Sequence, residues 1–220
     1  MDNHIIAVEG TLGTNKSLLM YEINKSLSSN DYFVSTDPYE HFSCYKNKYN
    51  PLKLMYNLPY EYSGFTQVHI NKVLFDYFKN INEGHLLCGK KTLSKRSIYS
   101  SHVFNETNFQ MGFYNEFVYD SISDQINEII KDLNFDEMAP HKTIFVDCKL
   151  ETTVERIVFR NRAEEHKLRY MTAYLEELRE QYLSFLTFLR ESDKRVLYLK
   201  HEVAVTPSEL DTIVRFIETV

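Results

Sequence analysis

The chain has 220 residues, 43% hydrophobic and 25% charged, an ordinary balance for one α/β domain with ample length for a core. A net charge of −6 and a pI near 5.8 argue against a nucleic-acid polymer or an anionic membrane as partner. No apolar run approaches ~20 residues, so no membrane span is expected, and the start of the chain, with Asp2 and no basic segment, does not read as a secretory signal.

In chain order, His4-Ile5-Ile6-Ala7-Val8 reads as a buried parallel strand. It runs into Glu9-Gly10-Thr11-Leu12-Gly13-Thr14-Asn15-Lys16-Ser17. This is a phosphate-binding loop, Gly-x4-Gly-Lys-Ser/Thr, in which Asn15 stands where the second Gly belongs. Leu19, Ile23 and Leu27 then mark one face of a helix. A strand, a turn carrying Gly10 and Gly13, and a helix opening at Lys16-Ser17 aim backbone N–H groups and the helix N-terminus at anionic phosphates. In such a loop Lys16 reaches the β/γ-phosphates and Ser17 ligates Mg²⁺. The alternative is an ordinary strand-turn-helix connection with a surface lysine.

Tyr32 to Thr36 reads as a second strand that ends at Asp37-Pro38, because Pro38 cannot continue a central ladder. Residues 40–64 look irregular, with a short helix around Leu52 to Tyr56. Ile70, Val73, Leu74, Tyr77 and Phe78 give a helical stripe, and residues 82–90 read as a loop. Lys91-Thr92-Leu93-Ser94 is a poorly apolar third strand leading into Lys95-Arg96-Ser97. Phe113 to Leu133 is a helix with Phe117, Ile122, Ile126, Ile129 and Ile130 inward. Thr143 to Cys148 is a strand, and Thr152 to Arg162 a helix running into a basic segment. Met171 to Leu189 is a long amphipathic helix, Arg195 to Leu199 a last strand and Ser208 to Thr219 a last helix. Strands separated by helices imply a parallel sheet covered on both faces. Cys44, Cys88 and Cys148 are odd in number and lack metal-type spacing, so free thiols in a reducing compartment are expected.

These motifs, in this order, resemble the deoxynucleoside kinases, the group containing deoxycytidine, deoxyguanosine and mitochondrial-type thymidine kinases. The resemblance runs from Ile5 to about Leu186. It implies an α/β P-loop kinase fold, a five-stranded parallel sheet flanked by helices with an Arg-rich lid, in a single domain. It also implies ATP and Mg²⁺ as cofactors, a deoxynucleoside substrate, a homodimer, a place in nucleotide salvage and a cytoplasmic location (the host cytoplasm for a viral protein). Met55-Tyr56, Pro59, Ser63 and Gln67 match the family's register. By that match Tyr56 touches the sugar 3′-OH, and Gln67 reads the base through an amide that offers both donor and acceptor. Ser101 takes a position that carries Asp in purine- and cytosine-accepting members and a small residue in thymidine-type ones, which favours a pyrimidine. Phe104 stacks on the base or belongs to the core. Arg160-Asn161-Arg162-Ala163-Glu164-Glu165 matches the lid, whose arginines close over the transferring phosphoryl group while Glu165 reaches the 3′-OH.

Three positions depart from the pattern, all beside the chemistry. Asn15 replaces a glycine, although Asn tolerates left-handed backbone better than other side chains. Asp37 stands for the Glu that takes the proton from the 5′-OH, one methylene shorter, and acts directly or through a water. Lys95-Arg96-Ser97 stands for Glu-Arg-Ser: Arg96 is kept to support base and phosphates, while Lys95 reverses the charge of a residue that positions Mg²⁺. Lys95 then points away, or Mg²⁺ is held without it, or Lys95 itself touches the phosphates. The leading expectation is transfer of a phosphoryl group from ATP to a deoxynucleoside 5′-OH. The alternative is a degenerate homologue that keeps binding or interaction and has lost turnover. A nucleoside-monophosphate kinase shares the loop and lid but not the Tyr56, Gln67 and Glu165 set.

Overall fold

In a computed structural model, residues 5–27, 31–35, 38–133, 140, 142–192, 194–202 and 205–219 are described, with backbone only at 85–87. Five parallel strands form one sheet in the order β2-β3-β1-β4-β5. They are β1 (Ile5–Glu9), β2 (Tyr32–Val34), β3 (Lys91–Lys95), β4 (Lys142–Asp147) and β5 (Arg195–Lys200). Every residue of β1 and β4 is buried, which is why both read as near-continuous apolar runs. The β1–β3 register sets Ile6 against Leu93 and Val8 against Lys95. Glu9 and Lys95 therefore end at the same carboxyl edge of the sheet, where open α/β folds bind ligands.

One face is covered by α1 (Lys16–Ser26) and α9 (Pro207–Glu218). Leu19, Ile23, Ile213 and Ile217 pack there on Ile6, Val8, Ile144 and Val146. The other face carries α3 (Pro51–Asn57), α4 (Pro59–Cys88), α5 (Ser100–Gln110), α6 (Glu116–Asp132), α7 (Leu150–Arg160) and α8 (Thr172–Glu191). Tyr174, Leu178 and Tyr182 of α8 are buried against Phe145 and Ile157, so the stripe from Met171 to Leu189 faces the core as its period requires. Burying each such large apolar side chain contributes about 1.5–3 kcal/mol. No helix among the described residues is long and apolar enough to cross a membrane.

The irregular stretch expected at 40–64 is mostly helical. It holds α2 (Tyr39–Phe42), α3 and the start of α4. Its Asn and Pro residues act as start signals rather than breakers. The Asn50 side chain accepts from the Lys53 N–H and Pro51 fills the first helical position. The loop expected at 82–90 is also helix as far as Cys88. Gly84 sits inside it at a cost of about 1 kcal/mol, and Gly89, at φ +66, follows the last helical residue. Helix α5 has no counterpart in the sequence reading. The helix expected from Phe113 starts at Glu116, capped by Asn115, and Phe117 faces solvent at 78% exposure instead of inward. All three cysteines are free thiols.

Candidate active site

The phosphate loop leaves β1 at Glu9 and enters α1 at Lys16. Gly10, at φ +143, lies so close to β4 that a Cβ there would sit 2.3 Å from the Val146 carbonyl oxygen. A Cβ on Gly13, at φ +77, would meet the Thr153 carbonyl oxygen at 2.7 Å. Asn15 caps α1 at φ 59, ψ 26, the left-handed conformation in which Asn is the least strained substitute for Gly. Its side chain is exposed and makes no capping bond, so the loop keeps its course without the glycine.

Lys16 is buried and turned into its own loop. Its ammonium donates to the Gly10 carbonyl (2.7 Å), the Thr11 carbonyl and Thr14 Oγ1 (3.0 Å). Burial, then the neighbouring Arg96 and Lys95 charges, hold its pKa well below the usual lysine range. Ser17, the residue expected to ligate Mg²⁺, instead accepts a hydrogen bond from Lys95 Nζ at 2.9 Å. A Mg²⁺ ion ~2.1 Å from that hydroxyl would lie at most about 5 Å from the ammonium, a repulsion of about 7 kcal/mol at an effective dielectric of 20. Among the described residues the nearby carboxylates do not offset it. Glu9 is fully buried behind the loop, its Oε1 accepting from the Ser97 N–H and O–H at 2.7 Å each. Its pKa is raised, burial outweighing Ser97, Arg96 and Lys16. Glu165 is paired with two arginines. Among the described residues no group of three His, Cys, Asp or Glu is placed to hold a metal. Among the described residues the donors at Ser17 do not fit a divalent ion.

Arg96 follows β3 at φ 74, left-handed backbone held by its N–H on the Val8 carbonyl (3.0 Å) and by Ser94 Oγ on its own carbonyl (2.8 Å). Strain of this kind, about 1–3 kcal/mol, gathers at functional sites. Its guanidinium lies 4.5 Å from the centre of the Phe104 ring and donates to Tyr182 Oη at 3.4 Å. Phe104 meets Tyr182 edge-on at 6.2 Å, so it both packs on the core and lines the cavity.

The lid follows α7. Arg160 ends that helix, Asn161 turns at φ 51, and Ala163–Glu165 forms a short 3₁₀ turn. Glu165 is 3% exposed, accepts from Arg160, and lies 3.6 Å from Arg162. Arg162 also stacks on Tyr39 at 3.8 Å, and the Tyr39 hydroxyl donates to Glu164. At the far end, Tyr56 is buried on α3, and burial raises its pKa well above the ordinary tyrosine range, keeping the hydroxyl a donor. Gln67 on α4 donates to Asn71 Oδ1 at 3.0 Å, and Asn71 to Gln125 Oε1 at 3.0 Å, a relay that fixes the amide. Ser101 Oγ is buried with no hydrogen-bond partner.

A cavity of about 350 Å³ joins these parts. It is bordered by Gly13, Asn15, Lys16, Ser17, Tyr56, Gln67, Arg96, Ser101, Phe104, Arg160, Arg162 and Glu165, over an apolar floor of Leu52, Met55, Ile70 and Leu74. Gly10 stands just behind it in the loop. Asp37 lies outside the described residues. Tyr39 and Asn108 as lining groups and Glu9 as the support of Ser97 went unread in the sequence, while Lys95, left with three alternatives there, lines the cavity. Tyr39, two residues past Asp37, carried a positional signal, whereas Asn108 carried none.

The sequence model of the family described as deoxynucleoside kinase matches residues 6–220. The chain belongs to the deoxynucleoside kinase family. Its fold is that of a deoxyadenosine kinase from M. mycoides. With dATP bound, that structure gives a TM-score of 0.74 at 21% identity over 98% of this chain and 100% of the other. With dCTP bound it gives 0.73 at 22% identity over 96% and 97%. Sequence similarity also reaches mitochondrial NADH dehydrogenase (ubiquinone) 1 alpha subcomplex subunit 10. That of Rattus norvegicus is 31% identical over 121 residues, 54% of this chain, and that of Bos taurus 28% over 118 residues, 53% of this chain. The match spans only 32% of either relative's length.

Proposed function

We propose that this deoxynucleoside kinase family member transfers the γ-phosphoryl group of ATP to the 5′-OH of a deoxynucleoside, with a pyrimidine favoured. The observation that carries the reading is the single cavity in which the phosphate loop and the lid arginines meet Tyr56 and Gln67. The nucleoside lies on the apolar floor, its base against Phe104 and the Gln67 amide and its 3′-OH between Tyr56 and Glu165. The 5′ oxygen attacks the γ-phosphorus, the bond to the ADP oxygen breaks, and the 5′ proton passes to Asp37. Lys16, Arg96, Arg160 and Arg162 stabilise the charge on the transferring oxygens. Ser101, small and buried with an unsatisfied hydroxyl, supports the pyrimidine preference. The M. mycoides kinase, with dATP or dCTP bound, makes the purines the controls to include. The reading includes a homodimer, for which exposed Phe65, Val68 and Phe117 on α4 and α6 offer apolar surface.

The test is purified protein with ATP and each of the four deoxynucleosides, scored for monophosphate, with light scattering for the dimer. Product with thymidine above the other deoxynucleosides is the expected result. A second reading, a homologue that binds but does not turn over, is favoured by the Lys95–Ser17 contact. No product at high enzyme concentration, with a deoxynucleoside still raising Tm, would select it.

A further inference from the structure

We infer that Lys95 takes the place of the divalent cation, so that the phosphate end of the cavity receives a metal-free nucleotide. The inference rests on the nucleotide-binding part of the function proposed above. Lys95 closes β3 opposite Val8 of β1, and the parallel ladder fixes its backbone beside the loop. From there its side chain crosses to the first turn of α1 and donates to Ser17 Oγ at 2.9 Å. An ammonium carries three donors and no acceptor, so one that sits on the loop hydroxyl at the cavity wall is suited to phosphate oxygens and unsuited to a cation.

The charge around it agrees. Among the described residues five cationic side chains line the cavity (Lys16, Lys95, Arg96, Arg160 and Arg162) against one carboxylate, Glu165. Among the described residues Glu9 is buried and engaged by Ser97, and Asp37, the base proposed above, would add one negative charge and leave the excess positive. A free triphosphate carries twice the negative charge of its Mg²⁺ complex and so matches this lining better. Lys16 donates to the Gly10 carbonyl and Thr14 Oγ1, bonds that nucleotide oxygens would replace.

The experiment is calorimetric titration of the full chain with ATP, once in EDTA and once in excess Mg²⁺, for the wild type and for Lys95→Glu and Lys95→Ala. Lys95 is partly exposed, and circular dichroism verifies that each variant is folded. Wild type is expected to bind ATP in EDTA at least as tightly as in Mg²⁺. Lys95→Glu is expected to invert that order, with about tenfold or greater loss in EDTA, and Lys95→Ala to lose affinity in EDTA without gaining it in Mg²⁺. Wild-type binding that requires Mg²⁺ overturns this inference and leaves the kinase reading standing. No ATP binding in either buffer overturns both.

Discussion

Replacing Glu9 by Gln isolates the charge of the group that ties the phosphate loop to the Lys95-Arg96-Ser97 turn. Glu9 is fully buried. Its Oε1 accepts two 2.7 Å bonds from Ser97, and its Oε2 accepts one from Tyr182 at 3.4 Å. A glutamine keeps all three contacts, its carbonyl accepting from Ser97 and its NH₂ donating to Tyr182 Oη, at a cost of about 1 kcal/mol for weaker, uncharged bonds. The carboxyl pKa is raised in the fold, burial outweighing the pull of Ser97, Arg96 and Lys16. The proton is therefore held more tightly in the folded state. The stability this gives is complete below the unfolded pKa and is lost as pH rises through the folded one, about 1.4 kcal/mol for each unit of displacement. Glutamine does not titrate, so stability of the variant relative to wild type should rise with pH. Urea unfolding followed by far-UV circular dichroism at about pH 5 and about pH 8 measures this difference. A variant that falls further behind wild type at the higher pH would refute the reasoning, because the Arg96 and Lys16 attraction would then exceed the cost of burial. Glu9→Ala is the control. It strands the Ser97 N–H, for a loss of about 3–5 kcal/mol and a drop in Tm on the order of 10 °C.

Three further outcomes follow from the geometry. Asn15→Gly should leave stability within about 0.5 kcal/mol, since relief of the left-handed backbone offsets the added freedom of the unfolded chain. Asn15→Val at the same φ of 59 should cost about 2 kcal/mol, and scanning fluorimetry compares the two. Lys142→Met should lower stability by about 2–3 kcal/mol in chemical denaturation, because the ammonium donates to the Phe216 and Ile217 carbonyls at 2.8 and 2.9 Å where α9 ends. Glu165→Gln should reduce kcat/KM for the deoxynucleoside roughly 10- to 100-fold, the worth of a hydrogen bond to a charged group, with at most about 1–2 kcal/mol lost in stability because Arg160 and Arg162 are a third exposed.

The sequence was most legible where the backbone dictates the residue. Gly10 and Gly13 announce a loop because β4 and α7 leave no room for a Cβ. The stripes of α1 and α8 announce helices because their inward faces meet an apolar sheet. Helix α5 was illegible for the opposite reason. Its buried residues are Ser100, Ser101, Val103, Asn105, Thr107 and Asn108, so the face that points inward is mostly polar. A helix that lines a polar cavity or feeds side-chain networks loses the apolar period by which helices are recognised. The partners of Glu9 and Lys95 were hidden by distance along the chain: Ser97 lies 88 residues from Glu9 and Ser17 lies 78 from Lys95. Only the strand order, which inserts β3 between β2 and β1, brings those pairs together.

The departures at Asn15 and Lys95 differ in kind. Asn15 changes a side chain but not the path of the loop. Its φ and ψ are those a glycine would take there, its side chain is exposed, and its carbonyl still accepts from the Leu18 and Leu19 N–H groups as α1 begins. Its effect on phosphate is steric and local. Lys95 changes the sign of the site. It leaves the backbone ladder intact but places an ammonium on the hydroxyl expected to face a cation. Coulomb energy falls only as the inverse of distance, so this charge acts on Lys16, Arg96 and any phosphate in the cavity at once. Restoring glycine at position 15 while Lys95 remains should therefore leave the metal response of ATP binding unchanged. Restoring glutamate at position 95 while Asn15 remains should reverse it.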